Sequence, residues 1–152
     1  MENPVKPNPA LENLIARTSV TVNATNIKVW DALVNPEAIK QYYFGTNAVS
    51  DWLEGSPIVW SGEFKGKPYE DKGVILRLEP GKVLQYSHFS PLSGLPDKSE
   101  NYHTVTIELS GERNQTRVSL AQDNNSTEEA REHSQQNWGT MLKSLKKLLE
   151  QS

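Results

Sequence analysis

Between residues 46 and 123, short runs of β-branched and aromatic residues alternate with clusters of turn formers, and the chain then closes on one long amphipathic stretch. The turn clusters are "SDWLEGSP", "KGKP", "EPGK", "SPLSGLPDKSE" and "SGERNQ", each gathering Gly, Pro, Asn, Asp or Ser. Between them lie "PIVWSGEF", "YEDKGVILRL", "VLQYSHF", "YHTVTIEL" and "TRVSLAQ", which read as strands of an antiparallel meander. An antiparallel sheet buries one face only if something covers it. The cover is "NNSTEEAREHSQQNWGTMLKSLKKLLEQS", whose Trp138, Met141, Leu142, Leu145, Leu148 and Leu149 form one stripe at helical period. Ser126 with Glu129 reads as a capping box, and the helix from Thr127 to Glu150 would run about 36 Å at ~1.5 Å per residue. Toward its N-terminal half the stripe thins to Arg131, His133, Ser134, Gln135 and Asn137, so that half faces solvent or a partly polar gap.

Upstream, "LIARTSVTV" (14 to 22) alternates as a first strand. "NATNIKVWDALVNPEAIKQYYF" reads as two short helices. Ile27, Trp30, Leu33 and Val34 form the apolar face of the first, behind a cap at 23 to 26. Asn35 caps the second, with Pro36 at its first position, where a missing N–H costs nothing. Three prolines in the first nine residues make residues 1 to 11 a flexible arm, and residues 12 to 152 a single domain.

Several function classes fall away on composition. A net charge of −3 offers no basic stripe for nucleic acid, and the second short helix carries only Lys40 as a cation, so a DNA-reading helix-turn-helix is excluded. The absence of Cys removes disulfides, thiol catalysis and Cys-ligated zinc. No apolar run is long enough for a membrane span and no leader is visible, which makes the cytoplasm the expected location. There is no Gly-rich phosphate loop, nucleophile elbow or metal-protease helix, so no catalytic residue is assigned.

One strand poses a question of its own. In "SENYHTVTIEL", His103 falls on the side of Val105, Ile107 and Leu109. If the connection Ser90 to Asn101 closes symmetrically, Phe89 pairs with Tyr102, His88 with His103, Tyr86 with Val105 and Leu84 with Ile107. Two histidines then face each other on the helix-facing side, with Cβ atoms about 4.5–5.5 Å apart. They either line the open end of the sheet or orient a polar group on an apolar ligand. Two His also suit zinc, but no inward carboxylate is evident to complete the set, and His133 points elsewhere. No metal and no cofactor is expected.

The order strand, two helices, meander and closing helix is that of the helix-grip fold, an α+β architecture in which a curved sheet wraps around the last helix. "TSVTVNATNIKVWDALVNPEAIKQYYF", "ENYHTVTIEL", "LAQDNN" and "NWGTMLKSLKKLLE" resemble, in that order, the domain family named after the activator of the heat-shock-chaperone ATPase (AHSA-type). That family is a branch of the START-like (SRPBCC, Bet v-type) superfamily. The resemblance covers residues 15 to 150 and implies a cavity between sheet and helix. It does not imply a reaction.

The expected function is therefore binding of a small hydrophobic or amphipathic molecule, without catalysis, by a monomer or weak dimer. Its expected contacts from the strands are Trp60, Leu76, Tyr86, His88, His103 and Val105. From the closing helix they are Trp138, Met141, Leu142 and Leu145. Trp30 is expected in the core and Trp52 beside a turn, while the loop at 90 to 101 is either a lid or a rigid surface turn. A co-chaperone role is the alternative reading. The chaperone activator usually pairs this domain with an N-terminal one bearing basic contact motifs, and here the arm offers only Lys6. A third reading is cyclase or hydrolase chemistry with His88, His103 and Tyr86 as acid–base groups.

Overall fold

The computed structural model describes residues 14–151. The arm at 1 to 11, and with it the proposed domain start at 12, lies outside the described residues. Seven strands form one antiparallel sheet: β1 (Ala16–Val22), β2 (Asn47–Ser50), β3 (Pro57–Phe64), β4 (Lys67–Glu79), β5 (Val83–His88), β6 (His103–Glu112) and β7 (Gln115–Gln122). Their spatial order is β1-β7-β6-β5-β4-β3-β2, so the first strand is carried across to the far edge beside β7. Two short helices, α1 (Asn26–Leu33) and α2 (Pro36–Tyr42), make that crossing, and α3 (Glu128–Glu150) follows the last strand. This is the helix-grip architecture expected from the element order. The addition is β2, a four-residue edge strand that ends where the turn sequence "SDWLEGSP" begins.

Local chemistry sets the helix starts. The Thr25 hydroxyl accepts the Lys28 amide proton at 3.2 Å, and the Asn35 side chain accepts that of Glu37 at 2.9 Å, with Pro36 just inside α2. The cap of α3 is Thr127 and not Ser126. Its extended backbone lets the hydroxyl take the Ala130 amide at 3.0 Å, one residue later than the capping-box pattern suggests.

Trp138, Met141, Leu142, Leu145 and Leu149 of α3 are buried against Val105, Ile107, Val118 and Leu120 of the sheet, and Trp30 and Leu33 of α1 join the same core. Ile27 does not: it is 72% exposed, because the buried side of α1 is set by Val29, Trp30, Ala32 and Leu33. Leu76 also departs from its expected place. β4 carries one extra residue between Ile75, which opposes Tyr86, and Arg77, which opposes Gln85. That bulge reverses the alternation, so Ile75 is fully buried and Leu76 is 45% exposed on the outer face, away from any ligand.

Among the described residues, no helix is long and apolar enough to cross a membrane.

Candidate functional site

The inward positions of β4 to β7 are apolar at one end of the sheet and polar at the other. At the apolar end sit Ile75, Leu84, Tyr86, Val105, Ile107 and Leu120, all buried. Two residues further along β5, β6 and β7, and four along β4, the row becomes Asp71, His88, His103 and Gln122. Trp60 extends this row on β3, directly opposite Asp71, and His88 lies directly opposite His103, as the symmetric hairpin closure requires. The five pairs that extend that hairpin inward, from Ser87 with Thr104 through Tyr86 with Val105 and Leu84 with Ile107 to Val83 with Glu108, follow the same register.

The row is tied together by specific contacts. His88 Nε2 lies 2.9 Å from Asp71 Oδ2, and a carboxylate can only accept, so Nε2 carries the proton. His103 Nδ1 lies 2.9 Å from the Asp123 carbonyl oxygen, also an obligate acceptor, so Nδ1 donates and, in the neutral ring, Nε2 is an acceptor. The same Asp123 takes the Thr104 amide proton on its side chain at 2.6 Å, which fixes the loop that orients His103. The two imidazoles stack with centroids 6.3 Å apart, and His88 also packs on Trp60 at 5.1 Å. Asp71 is thus the inward carboxylate that the sequence reading lacked. Its Oδ1 is buried with no hydrogen-bond partner.

Above the row, where α3 loses its leucines, an open cavity of about 750 Å³ separates helix from sheet. Trp60, His88, His103 and Trp138 line it, so the structure brings together four of the expected contacts. Tyr43, Phe44, Phe64, Tyr69 and Asp71 are lining residues that the sequence reading missed. Tyr69 is held by a 2.6 Å hydrogen bond with Thr46. Tyr43 packs on Trp138 with ring centroids 5.8 Å apart. Burial, reinforced by Asp71 and Tyr69, pushes the Tyr43 phenol well above its ordinary pKa, and burial does the same for Tyr86, so both are neutral hydroxyls.

The remaining expected contacts lie deeper. Tyr86 and Met141 border a second, small void of about 20 Å³, together with Trp52, too small for more than a water. Val105, Leu142 and Leu145 line neither space and belong to the packed core. His133 is exposed on α3. The loop at 90 to 101 is braced by two 3-10 turns, a 2.6 Å bond from the Tyr102 hydroxyl to Asp97, and a Lys72–Asp97 ion pair. It contributes Ser90 and Leu92 to the cavity mouth. Among the described residues, no group of three or more His, Cys, Asp or Glu side chains is placed to hold a metal ion.

Trp138 closes the row from the helix side, its indole Nε1–H donating to Gln122 Oε1 at 2.6 Å. Replacing Trp138 with Phe leaves that buried oxygen without a donor. The expected cost is about 1–3 kcal/mol in urea unfolding, the penalty for an orphaned buried acceptor; an unchanged midpoint would mean that water replaces the indole.

Comparison with known proteins agrees with this architecture. A family model described as "Activator of Hsp90 ATPase homolog 1-like protein" matches residues 23–150. The solution structure of ChR145 from Cytophaga hutchinsonii is 59% identical, with 90% of this chain and 94% of that chain covered at a TM-score of 0.79. The Aha1 dimer from Colwellia psychrerythraea is 21% identical, covering 90% of this chain and 96% of that one at a TM-score of 0.69. CalU16 from Micromonospora echinospora is 24% identical, covering 89% and 74% at a TM-score of 0.65. The last two likenesses speak for the fold alone. No protein of curated function matches. The match over residues 23–150 and the likeness to ChR145 make this chain a member of the Activator of Hsp90 ATPase homolog 1-like family.

Proposed function

We propose that this protein binds a small hydrophobic or amphipathic molecule in the cavity between its sheet and α3, as a carrier or sensor and not as a catalyst. One observation carries the reading: the polar end of the sheet meets the polar half of α3 around an open, aromatic-walled space of about 750 Å³. That volume falls within the roughly 300–1,000 Å³ of small-molecule sites, and a few convergent polar groups on an apolar wall are what such sites use to orient a ligand. A sheet and helix that needed only to seal a core would fill this space with leucines, as they do around Leu142 and Leu145.

The test is a fluorescence titration with N-phenyl-1-naphthylamine, a neutral apolar probe. Saturable enhancement at one probe per chain is the expected result. The variant Asn137→Trp places an indole at an exposed helical position on the cavity wall. It should weaken uptake about tenfold or more while leaving the melting temperature near that of the parent, since surface substitutions usually cost within about 0.5 kcal/mol. No saturable uptake by the parent protein would count against the proposal.

A second reading, contact with another protein, is favoured by the exposed Phe44, Phe64 and Leu92 at the cavity mouth. Sedimentation velocity separates the two for self-association: a concentration-dependent dimer abolished by Phe64→Glu supports it, and a monomer at all concentrations removes it.

A further inference from the structure

The cavity's charge and hydrogen-bonding character go further than its size. Its charged lining residues are Asp71 and Glu63, with His88 and His103 beside them, and no lysine or arginine among them. Of the cations on the elements around it, Lys72 pairs with Asp97, Arg131 pairs with Glu128, and Lys65 lies over the Phe64 ring at the cavity mouth, 5.4 Å from its centroid. A ligand carboxylate entering this space would leave water for a site with two carboxylates and no fixed positive partner, which is unfavourable.

The tautomers point the same way. Asp71 fixes the proton of His88 on Nε2, and the Asp123 carbonyl fixes that of His103 on Nδ1. In the neutral imidazoles the opposite nitrogen of each ring, His88 Nδ1 and His103 Nε2, is an acceptor, and neither takes a hydrogen bond from a described residue. Asp71 Oδ1 is a third acceptor without a partner. Among the described residues Asp71 Oδ1 is the buried acceptor left open, which is costly, while the two imidazole nitrogens face the open cavity, so the row suits a group that brings donors. Around it stand the rings of Tyr43, Trp60, Tyr69 and Trp138. Their faces attract a cation lying within about 6 Å of the centroid.

We infer that the ligand carries a cationic amine on an aromatic or alicyclic body, with the ammonium donating into the Asp71–His88–His103 row and the body stacked between Trp60 and Trp138. This rests on the cavity being a binding site, and names the chemical class that the site selects. Ammonium supplies donors without acceptors, matches the charge of the lining and uses the aromatic faces. A hydroxyl does only the first in part, and a carboxylate does none of these.

The test uses three ligands of one shape: 2-naphthylmethylamine, 2-naphthylmethanol and 2-naphthoate, titrated calorimetrically at pH 7.5. The amine should bind about tenfold or more tighter than the carboxylate, with the alcohol between them; a tenfold ratio corresponds to about 1.4 kcal/mol. Asp71→Asn keeps the shape of the side chain and removes its charge, and should collapse the amine-to-alcohol ratio toward one. Glu63→Gln, at the exposed rim, should lower the same ratio less. Naphthoate binding as tightly as the amine, in a protein that takes up the neutral probe, would overturn the amine inference and leave the cavity reading intact. Failure of all three ligands and of the neutral probe would overturn both.

Discussion

Gly73→Ala is expected to destabilise the protein by at least about 3 kcal/mol, the upper end of ordinary overpacking costs. A Cβ built on Gly73 would stand 1.7 Å from the Ser87 carbonyl oxygen and 2.6 Å from the Ser87 carbonyl carbon. Both belong to the backbone of β5, which is held between β4 and β6 and cannot retreat without breaking ladder hydrogen bonds on either side. The close approach falls where β4 and β5 lose regular pairing. The Ser87 hydroxyl, not a carbonyl, accepts the Val74 amide at 3.0 Å, and ladder pairing resumes only at Lys72 with Phe89. Since His88 follows directly, any shift that admits the methyl group also displaces the imidazole from Asp71. Urea unfolding followed by tryptophan fluorescence measures the cost. Gly62→Ala is the comparison: its Cβ would meet only the Tyr69 side chain, 2.9 Å from the hydroxyl, and a side chain can swing aside. Equal midpoints for the two variants would contradict the rigid close approach.

Leu145→Ala should cost about 2–5 kcal/mol, the range for removing a buried leucine into a core that relaxes only partly. Leu145 is fully buried on α3 and shares the core with Leu142, Val105 and Val118. Its effect on ligand uptake should nonetheless be small for the molecules that remain folded, because Leu145 does not line the cavity. Trp60→Ala should behave differently. It removes the wall on which His88 packs, so probe affinity should fall about tenfold or more alongside its loss of stability. The pair separates core from site by experiment, through chemical denaturation and probe titration of the same two variants. If Leu145→Ala lost the probe as completely as Trp60→Ala, the cavity and the core would have to be one continuous space.

How much of this was readable from the sequence depended on parity. Strand alternation alone put His88 opposite His103, because the loop closes without irregularity and each of the two strands keeps a strict period of two. On β4 the same logic failed at one residue. Leu78 faces the core side, opposite Leu84, and an unbroken period carries that face to Leu76 and then past Val74 and Lys72, putting Asp71 outside. The bulge beside Leu76 shifts the parity, so Ile75, Gly73 and Asp71 are the inward set. A single extra residue thus accounts both for the misplaced Leu76 and for the overlooked carboxylate. Gly73, a glycine within a strand pattern, was the available signal, since such glycines mark bulges or close backbone approach. Tyr43, Phe44 and Tyr69 were hidden for another reason. They reach the cavity from the end of α2, the turn after it and the start of β4, where burial depends on how separate elements meet and not on any local period. The closing helix was legible because its stripe changes character at Trp138, and the cavity opens where it does.

The most direct test of the central claim is a proton–nitrogen NMR titration of the folded protein with N-phenyl-1-naphthylamine, following the indole signals of the four tryptophans and the histidine rings. A ligand seated in the cavity predicts saturable one-to-one shifts that are largest at Trp60, Trp138, His88 and His103, with Trp30 in the core little changed. Shifts spread over the outer face of the sheet around Arg117 and Ser119, or none at saturating probe, would contradict it.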